Sequence, residues 1–420
     1  MNADIDETNR ASQTSPTSLT EAAGLGTRPV SLETYRSQEL FEKERDRIFG
    51  RAWLVVGRVE EVPQAGDFIV RDIDICSASI VITRDKSGDV RAFHNVCPHR
   101  GNQVVWERQG NQPAFVCRYH SWTFGLDGAL RGVPDQRAFF NLDKSTCGLK
   151  RVTVECWEGW IFINLSKTPE CSLAEFLGDF APFLAGYDYV DADSPIVVTG
   201  SLKCNWKVVA DAFSEAYHIP AIHKTTIAAL FSSAKNKFGE LLDAKFFGPH
   251  RFASMYGDSN YVPHEKAKIE SFAFNPANFD ADRLEQFGRN LQHSGVNPTK
   301  ATDWVMDVNF IFPHFNIDVS AGGFWTHTFM PVSVNETRYE ARFYYRKAIT
   351  IMERFFQEMS LVRSIDVIFE DLSNVERTQK GINSRATDTM VLSDHEVLLR
   401  HSVKHVEKWI EAPTVREALA

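Results

Sequence analysis

Four residues in two short segments have the types and the spacing of metal ligands. Cys97 and His99 are separated by one residue, and Cys117 and His120 follow after seventeen intervening residues. Two loops that each present one thiolate and one imidazole can hold a compact metal centre from two sides. A [2Fe-2S] centre with two Cys on one iron and two His on the other needs this ligand set, and a structural zinc site also accepts Cys and His. The spacing is unusual for a zinc finger, so it favours the [2Fe-2S] centre.

Two further histidines, His218 and His223, form a second set of candidate ligands. Residues five apart do not share a face of one regular helix, but Pro220 is expected to end a helix predicted over 205–218. Both imidazoles could then reach one ion. One carboxylate would complete a 2-His-1-carboxylate triad, which leaves open positions for O2 on Fe(II). Two nearby histidines among thirteen are more often surface or capping residues, so this motif alone leaves both interpretations open.

The two Cys/His loops resemble those of the Rieske family, and in particular its oxygenase branch. Segment 97–101 reads Cys-Pro-His-Arg-Gly, and segment 117–122 reads Cys-Arg-Tyr-His-Ser-Trp. The respiratory branch usually has an additional Cys in each loop, where this sequence has Gly101 and Tyr119. The resemblance implies a Rieske [2Fe-2S] cluster bound by the two Cys and the two His, in the large (alpha) subunit of an aromatic-ring-hydroxylating oxygenase system.

The resemblance extends to the second set of residues. An Asn-Trp-Lys segment at 205–207 precedes the two histidines by about the distance usual in this family, which implies that His218 and His223 hold a mononuclear Fe(II). The third ligand that the resemblance implies is Asp371, in segment 369–376. Glu370 and Asp366 are the competitors, and a solvated acidic helix face is the alternative interpretation.

Glu215 matches the acidic residue that, in this family, joins a cluster histidine of one subunit to an iron histidine of the next by hydrogen bonds. It lies three residues before His218, so the two side chains are neighbours on a helix, and a carboxylate there could also orient the imidazole. The family more often has Asp at this position. Family members that act on quaternary amines resemble this chain in having Glu, and aromatic walls suit a cation.

A terminal oxygenase component is the function that the resemblance implies. Electrons from NAD(P)H would arrive through a separate reductase, with or without a ferredoxin, and O2 would react beside a bound small molecule. We expect an aromatic or hydrophobic substrate that is mono- or cis-dihydroxylated, or alternatively N- or O-demethylated. The family also implies a homotrimer, with or without a small β subunit. An electron carrier and a hydrophobic-ligand binding protein are the alternatives from other classes.

The sequence predicts an α+β protein with a small all-β Rieske domain. Residues 1–28 are rich in small polar residues and are expected to form a flexible tail, and 29–50 a helical segment that packs on the catalytic domain. A series of short apolar runs separated by Gly and Asp turns indicates the all-β domain at 51–165. These runs lie at 53–57, 68–72, 80–84 and 160–165.

Residues 166–420 are expected to form the catalytic domain, which the resemblance assigns to the helix-grip (START-like) class with an antiparallel sheet. Two or three strands are predicted over 303–347, with a turn at 334–337. Apolar residues at spacings of three and four predict a long helix over 351–380.

Composition and charge argue against several classes of partner. The formal net charge is -9 and no long Lys/Arg run is present, so neither nucleic acid nor an anionic membrane is an expected partner. The longest apolar runs, such as 160–164, are too short to span a bilayer, and the N-terminus lacks signal-peptide features, so we expect a cytoplasmic protein. The cysteines outside the two loops are expected to be reduced and buried, namely Cys76, Cys147, Cys156, Cys171 and Cys204.

Aromatic residues around the iron are expected to form the walls of a substrate pocket. The candidates are Phe213, Phe310, Phe312, Phe315, Phe324, Trp325 and Phe329, with His314 and His327 as polar contacts. Because most of these residues alternate along predicted strands, about half of them should face away from the iron and belong to the core.

Overall fold

The N-terminal residues are held against the C-terminal part of the chain. The computed structural model describes residues 18–189, 195–273, 275, 290–321 and 323–420. Helix α1, Leu19–Ala22, begins after Ser18, and the backbone N–H groups of Leu19 and Thr20 donate to the Asp394 carboxylate at 3.0 and 2.8 Å. This differs from the flexible tail expected up to residue 28. The rest of that predicted tail, residues 1–17, lies outside the described residues.

The sequence predicted a helical segment over 29–50, but these residues do not form one regular helix. The segment is divided into strand β1 Val30–Ser31, a 3-10 turn Glu33–Tyr35, helix α2 Gln38–Glu44 and a π-helical turn Arg45–Phe49. Glu44 is fully buried and accepts hydrogen bonds from the Trp206 indole at 2.8 Å and from Lys207 Nζ at 2.5 Å. The segment therefore packs on the helix that leads to His218.

We expect Glu44→Gln to destabilise the protein by about 3–5 kcal/mol, because it leaves the buried Lys207 ammonium without its partner. Urea unfolding measured on the whole chain would give this difference in the free energy of unfolding. Glu39→Gln on the same helix is the matched control, because Glu39 pairs with Lys43 at the surface and should contribute less than about 1 kcal/mol. Equal losses for the two variants would contradict the expectation.

The predicted all-β domain contains two antiparallel sheets. One has the strand order β2-β11-β10-β5-β4-β3-β6, and the other has the order β7-β8-β9. The strands are β2 Leu54–Arg58, β3 Asp67–Ile73, β4 Ala78–Arg84, β5 Val90–His94, β6 Gln109–Asn111, β7 Phe115–Val116, β8 Thr123–Phe124, β9 Leu130–Gly132, β10 Arg151–Trp157 and β11 Trp160–Asn164. All four apolar runs identified in the sequence coincide with strands to within two residues.

One turn in this domain requires glycine. Gly128 follows Asp127 and has φ +80°, and a Cβ atom there would lie 2.3 Å from the Phe93 ring. The turn between β8 and β9 thus lies against Phe93, which belongs to the same buried cluster as Cys97 and Cys117.

The C-terminal part is built on a seven-stranded antiparallel sheet with the order β12-β18-β17-β16-β15-β14-β13. Residues 303–347 contain four strands, so the prediction of two or three was wrong. A two-residue hairpin at 334–335 joins the last two of them. The strands are β12 Ile196–Leu202, β13 Asp243–Phe247, β14 His250–Tyr256, β15 Trp304–Ile311, β16 Phe315–Ser320, β17 Gly323–Ser333 and β18 Glu336–Tyr344, and the short β19 Thr389–Met390 pairs with β1.

The C-terminal part also contains helices, and the longest of them includes the region 351–380 that was predicted to be helical. The helices are α3 Leu173–Leu177, α4 Phe180–Leu184, α5 Trp206–Ala212, α6 Ile219–Ile222, α7 Ala228–Phe231, α8 Lys268–Ala273, α9 Ile351–Asn383, α10 Val397–Glu411 and α11 Val415–Leu419. No helix within the described ranges combines the length and the apolar character needed to cross a bilayer. The α+β class with an antiparallel sheet is confirmed, whereas the domain boundaries at 51, 166 and 420 remain predictions.

Helix α5 ends earlier than the sequence suggested. Its N-cap is Asn205, whose side chain accepts the Lys207 N–H, and the helix stops at Ala212 instead of continuing to 218. Pro220 does not end this helix, because it occupies the second position of α6, where a missing N–H costs nothing. Gln379 of α9 accepts the Asn205 N–H at 2.9 Å and so ties α9 to the start of α5.

Candidate metal centres

The two Cys/His loops have matched backbone hydrogen bonds. In the first loop the Cys97 N–H donates to Asn102 O, and the Gly101 N–H donates to Cys97 O, at 2.8 and 2.9 Å. In the second loop the Cys117 N–H donates to Trp122 O at 2.9 Å, and the Ser121 N–H donates to Cys117 O at 2.8 Å. The fifth residue of each loop has positive φ, +75° for Gly101 and +55° for Ser121. Each loop therefore curls around its own cysteine.

The four candidate ligands form one pair of thiols and one pair of imidazoles. The side chains of Cys97 and Cys117 are buried and interact with each other, and burial raises the pKa of the Cys97 thiol. The His99 and His120 rings are half-buried, with centroids 4.6 Å apart. Trp122 stacks on His99 at 5.0 Å and supports its orientation.

This pairing fits a cluster with two metal atoms better than a single zinc ion. A tetrahedral zinc ion needs all four ligand atoms within about 4 Å of one another, since each lies at about 2.0–2.3 Å from the ion. Within the described ranges, the His, Cys, Asp and Glu side chains provide one group of three whose ligand atoms converge within 4.8 Å, and it lies elsewhere. Thiols on one side and imidazoles on the other are the arrangement that a Rieske [2Fe-2S] cluster requires.

That convergent group is His218, His223 and Asp371. His218 precedes the one-turn helix α6 and His223 follows it, so one turn brings the Nε2 atoms within 3.2 Å. Asp371 Oδ1 on α9 lies 3.2 Å from His218 Nε2 and 2.9 Å from His223 Nε2. Three ligands on one face of an octahedral ion at about 2.1 Å are about 3 Å apart, so these residues could hold a mononuclear iron.

Carboxylates engage the other nitrogen of each imidazole. Glu215 Oε1 contacts His218 Nδ1, and Glu215 Oε2 accepts the His218 backbone N–H at 3.1 Å. Glu370 Oε2 lies 2.7 Å from His223 Nδ1 and also accepts the Thr226 hydroxyl at 2.6 Å. Such partners fix the ring and leave Nε2 to face the metal. Glu370 thus supports His223, whereas Asp366, the other competitor for the ligand position, is exposed.

The pKa values of His218, His223 and Asp371 are shifted because the three side chains lie close together. Burial lowers the pKa of His218, but the hydrogen bonds to Asp371 and Glu215 outweigh it and raise that pKa to about 10. Burial also lowers the pKa of His223, but the hydrogen bond to Asp371 contributes to a net rise of that pKa. Burial raises the pKa of Asp371, yet the two imidazoles produce a net lowering. The site therefore stabilises positive charge next to an ionised carboxylate, and a bound divalent ion would replace the imidazole protons.

We expect Glu370→Gln to weaken iron binding at this site by about 10- to 100-fold, because an amide supports the His223 ring less strongly than a carboxylate does. Iron content after dialysis against a graded series of chelator concentrations would measure the change. Thr226→Val is the control, since it removes a hydrogen bond to Glu370 while keeping the carboxylate on His223. Unchanged retention of iron in Glu370→Gln would argue against this supporting role.

The convergent group lies in the wall of a cavity of about 290 Å3. Four of the predicted pocket residues line this cavity, namely Phe213, Phe324, Trp325 and His327. The other predicted pocket residues, Phe310, Phe312, Phe315, Phe329 and His314, are buried and do not line it. Alternation alone does not explain this division, because the adjacent residues Phe324 and Trp325 both line the cavity. Four polar residues that were not predicted also line the cavity, namely Asp318, Ser320, Arg363 and Ser364. Asp318 and Ser320 could have been found from their alternation with the apolar residues of one strand.

Comparisons with known proteins match both parts of the chain. The family model of the ring hydroxylating alpha subunit (catalytic domain) matches residues 184–412, and that of the Rieske [2Fe-2S] domain matches residues 52–157. Together the two matches imply a Rieske cluster and a mononuclear iron as cofactors.

Curated relatives carry names of oxygenase components. The large oxygenase component of a naphthalene 1,2-dioxygenase system from Pseudomonas aeruginosa is 32% identical over 210 residues, which are 47% of this chain and 45% of that protein. The oxygenase subunit of a glycine betaine monooxygenase from Pseudomonas aeruginosa strain UCBPP-PA14 is 33% identical over 196 residues, with the same coverage of 47% and 45%. The chain matches about half the length of these curated relatives.

The fold is that of a solved naphthalene 1,2-dioxygenase from Rhodococcus sp. bound to indole. The two structures superpose with a TM-score of 0.73 at 20% identity, over 95% of this chain and all of the other. With the catalytic-domain model covering more than half of its length, this chain belongs to the ring-hydroxylating alpha subunit family, and it has a Rieske domain ahead of its catalytic domain.

Proposed function

We propose that this protein is the terminal oxygenase component of an electron-transfer system that hydroxylates an aromatic or hydrophobic small molecule with O2. The observation that carries the proposal is the convergence of His218, His223 and Asp371 in the wall of a largely apolar cavity. The paired thiols and imidazoles of the two loops lie on the same chain and supply the second redox site that the reaction needs. We take residues 51–165 and 166–420 as the two working domains.

The side chains of the site bind, orient and exclude water. His218, His223 and Asp371 would hold the iron on one face and leave its other positions open. Glu215 and Glu370 fix the two imidazole rings. Single-electron transfer and the activation of O2 are the chemistry that the bound cluster and iron supply. The apolar walls of the cavity would keep a substrate next to the iron and bulk water away from it.

We propose a homotrimer in which the two loops of one subunit approach Glu215 of the next. The Glu215 side chain is 11% exposed, and Tyr217 beside it is 48% exposed. Around the loops, the chain exposes large apolar side chains that would suit a protein partner: Val96, Trp106, Val116 and Tyr119. A reductase that oxidises NAD(P)H, with or without a ferredoxin, would supply the electrons, and a small β subunit is compatible with this arrangement.

We also propose that the protein works in the cytoplasm. The seven cysteines all lie within the described residues and are free thiols, which suits a reducing compartment. The expected burial holds for Cys171 and Cys204, whereas Cys156 is exposed and Cys76 and Cys147 are half-buried.

Oxidative N- or O-demethylation is the second candidate reaction. The similarity to a glycine betaine monooxygenase subunit favours it, because that substrate carries N-methyl groups. The presence of Glu at position 215 points in the same direction.

Iron content per chain and product analysis test the proposal together. We expect three iron atoms per chain for the oxygenase, whereas an electron carrier would have two and a ligand-binding protein none. Turnover with a generic reductase and a panel of aromatic and N-methylated compounds should consume O2 and give either hydroxylated product or formaldehyde. A chain that binds two iron atoms or fewer when fully reconstituted would contradict the proposal.

A further inference from the structure

Two elements that are distant in the sequence have to meet at the candidate iron site. His218 follows α5 along the chain, whereas Asp371 lies on α9. The ligand atoms of such a site must be held to within about 0.5 Å of the productive geometry. His223 is tied to α9 by Glu370, which also accepts the Thr226 hydroxyl. Within the described residues, the hydrogen-bonding contact between the His218 ring and α9 is the one with Asp371. The placement of His218 therefore depends on how α5 is held against α9.

Two side chains of α9 connect this helix to the beginning of α5. Gln379 is 1% exposed, and its Oε1 accepts the backbone N–H of Asn205, the N-cap of α5, at 2.9 Å. Three residues earlier on α9, Glu376 Oε1 accepts the backbone N–H of Lys203 at 2.9 Å. Two attachments to the same short segment limit both the sliding of α9 along its axis and its rotation relative to α5.

The Gln379 side chain also connects α9 to the other end of α5, through the N-terminal segment. Its Nε2 donates to Tyr35 O at 3.1 Å, and the Tyr35 hydroxyl donates to Asp211 Oδ2 at 2.7 Å. Asp211 is the penultimate residue of α5. All three side chains are buried, so breaking one of these bonds would leave a polar group unsatisfied inside the protein. Both ends of α5 are thus attached to one residue of α9.

The connection continues from the end of α5 to the residues beside His218. The Ser214 N–H donates to Asp211 O at 2.9 Å, and the Ser214 hydroxyl donates to Ala210 O at 2.7 Å. The next residue is Glu215, whose carboxylate contacts the His218 ring. A displacement of α5 would therefore be transmitted to this imidazole.

Gln379 and Asp371 lie on the same face of α9. Asp371, Val375 and Gln379 follow one another at intervals of four residues, and all three are buried. Gln379 is about 12 Å from Asp371 along the helix axis, at a rise of about 1.5 Å per residue. The attachment of α9 to α5 and the ligand that α9 supplies are therefore parts of one rigid surface.

We propose that Gln379 is a positioning residue for the mononuclear iron site, which sets the distance between His218 and Asp371 by holding both ends of α5 against α9. This inference rests on the proposed oxygenase function and deepens the description of its iron site. Gln379 is not among the residues that line the cavity, so it acts on the site through α5 and α9 and not through contact with substrate or metal.

Gln379→Met tests the proposal, because methionine has nearly the same length and lacks both hydrogen-bonding groups. We expect the affinity of the mononuclear site for Fe(II), measured by dialysis against graded chelator concentrations, to fall by about tenfold. The electron paramagnetic resonance spectrum of the ferrous nitric oxide complex should change in rhombicity, because it reports the arrangement of the ligands. The cluster spectrum of the same sample should stay as in the wild type.

Tyr35→Phe tests the second connection separately and serves if Gln379→Met does not fold. It removes the hydroxyl that binds Asp211 and leaves Tyr35 O available to Gln379. We expect the same change in the nitric oxide spectrum and a smaller loss of Fe(II) affinity, since the direct bond between Gln379 and Asn205 remains.

Asn164→Leu is the matched control for the loss of a buried amide. Asn164 is 1% exposed, its Nδ2 donates to Arg51 O at 2.8 Å, and its Oδ1 accepts the Ser166 N–H at 2.9 Å. It joins two chain segments as Gln379 does, but it contacts neither α5 nor α9 through these bonds. This variant should lose stability in urea and keep the wild-type Fe(II) affinity and nitric oxide spectrum.

Wild-type Fe(II) affinity and an unchanged nitric oxide spectrum in Gln379→Met would overturn the proposal. Equal changes at the iron site in Asn164→Leu would also overturn it, because they would indicate a general effect of lower stability. In both cases a wild-type protein with three iron atoms per chain leaves the oxygenase function intact. A wild-type protein that binds no third iron atom would contradict the proposed function and this inference with it.

Discussion

Asp371→Ala is expected to abolish turnover, reduce the iron content from three to two atoms per chain and leave the visible spectrum of the cluster unchanged. Asp371 Oδ1 lies within about 3 Å of both Nε2 atoms, so its removal takes away one of three convergent ligands. Loss of a residue that hydrogen-bonds to a metal ligand lowers metal affinity by about 10- to 100-fold, and loss of the ligand itself should lower it further. Metal analysis together with absorption and electron paramagnetic resonance spectra would measure both centres in one sample.

The control for this variant is Asp366→Ala. Asp366 lies on the same helix and is exposed, so its removal changes the charge of α9 without affecting the convergent group. We expect it to retain three iron atoms and normal turnover. Full activity of Asp371→Ala, or loss of iron from Asp366→Ala, would show that the third ligand has been wrongly assigned.

Glu215→Gln that is saturated with iron is expected to retain both metal centres and to slow electron transfer from the cluster by at least about tenfold. The amide oxygen can still accept the proton of His218 Nδ1, although it supports the ring less strongly than a carboxylate does, so the variant is measured with excess iron. The negative charge that would accept a hydrogen bond from a cluster histidine is lost. Rapid mixing of the reduced protein with O2 and substrate would follow reoxidation of the cluster directly.

Glu370→Gln makes the best comparison, because it introduces the same change at the other imidazole. When it is saturated with iron, that variant should reoxidise its cluster at the normal rate, since Glu370 contacts His223 and lies on α9 instead of the exposed segment beside Tyr217. If both variants slow reoxidation equally, support of the imidazoles explains the effect and the bridging role of Glu215 is rejected.

Much of the fold could be predicted because the signals are local. Alternating apolar runs and Gly turns located the strands of the N-terminal domain, and spacings of three and four located α9 with an error of three residues at its C-terminus. The helix boundaries around α5 were predicted wrongly because Pro220 was expected to end a helix, whereas it begins one. Proline suits both situations, and local sequence does not distinguish them.

The candidate ligands could be predicted because each set lies within a short motif, but their supporting residues could not. Glu370 was considered as a competitor of Asp371, although the two adjacent residues contact different nitrogens of His223. Asp318 follows the alternation of an ordinary strand, and its contact with His327 depends on how the neighbouring strand is aligned. Contacts of this kind depend on strand register, which one sequence does not reveal.

The contacts of Glu44 limit how this protein can be divided. Residues 29–50 lie outside both family matches, yet Glu44 from this segment neutralises Lys207, and Tyr35 donates to Asp211 at 2.7 Å. Lys207 and Asp211 belong to α5, which runs directly into the segment that carries His218. A fragment cut at 184–412 would contain His218, His223 and Asp371 and still expose an apolar surface and an unpaired interior ammonium. The stretch that matches the catalytic-domain family therefore lacks the N-terminal residues that complete the buried contacts of α5.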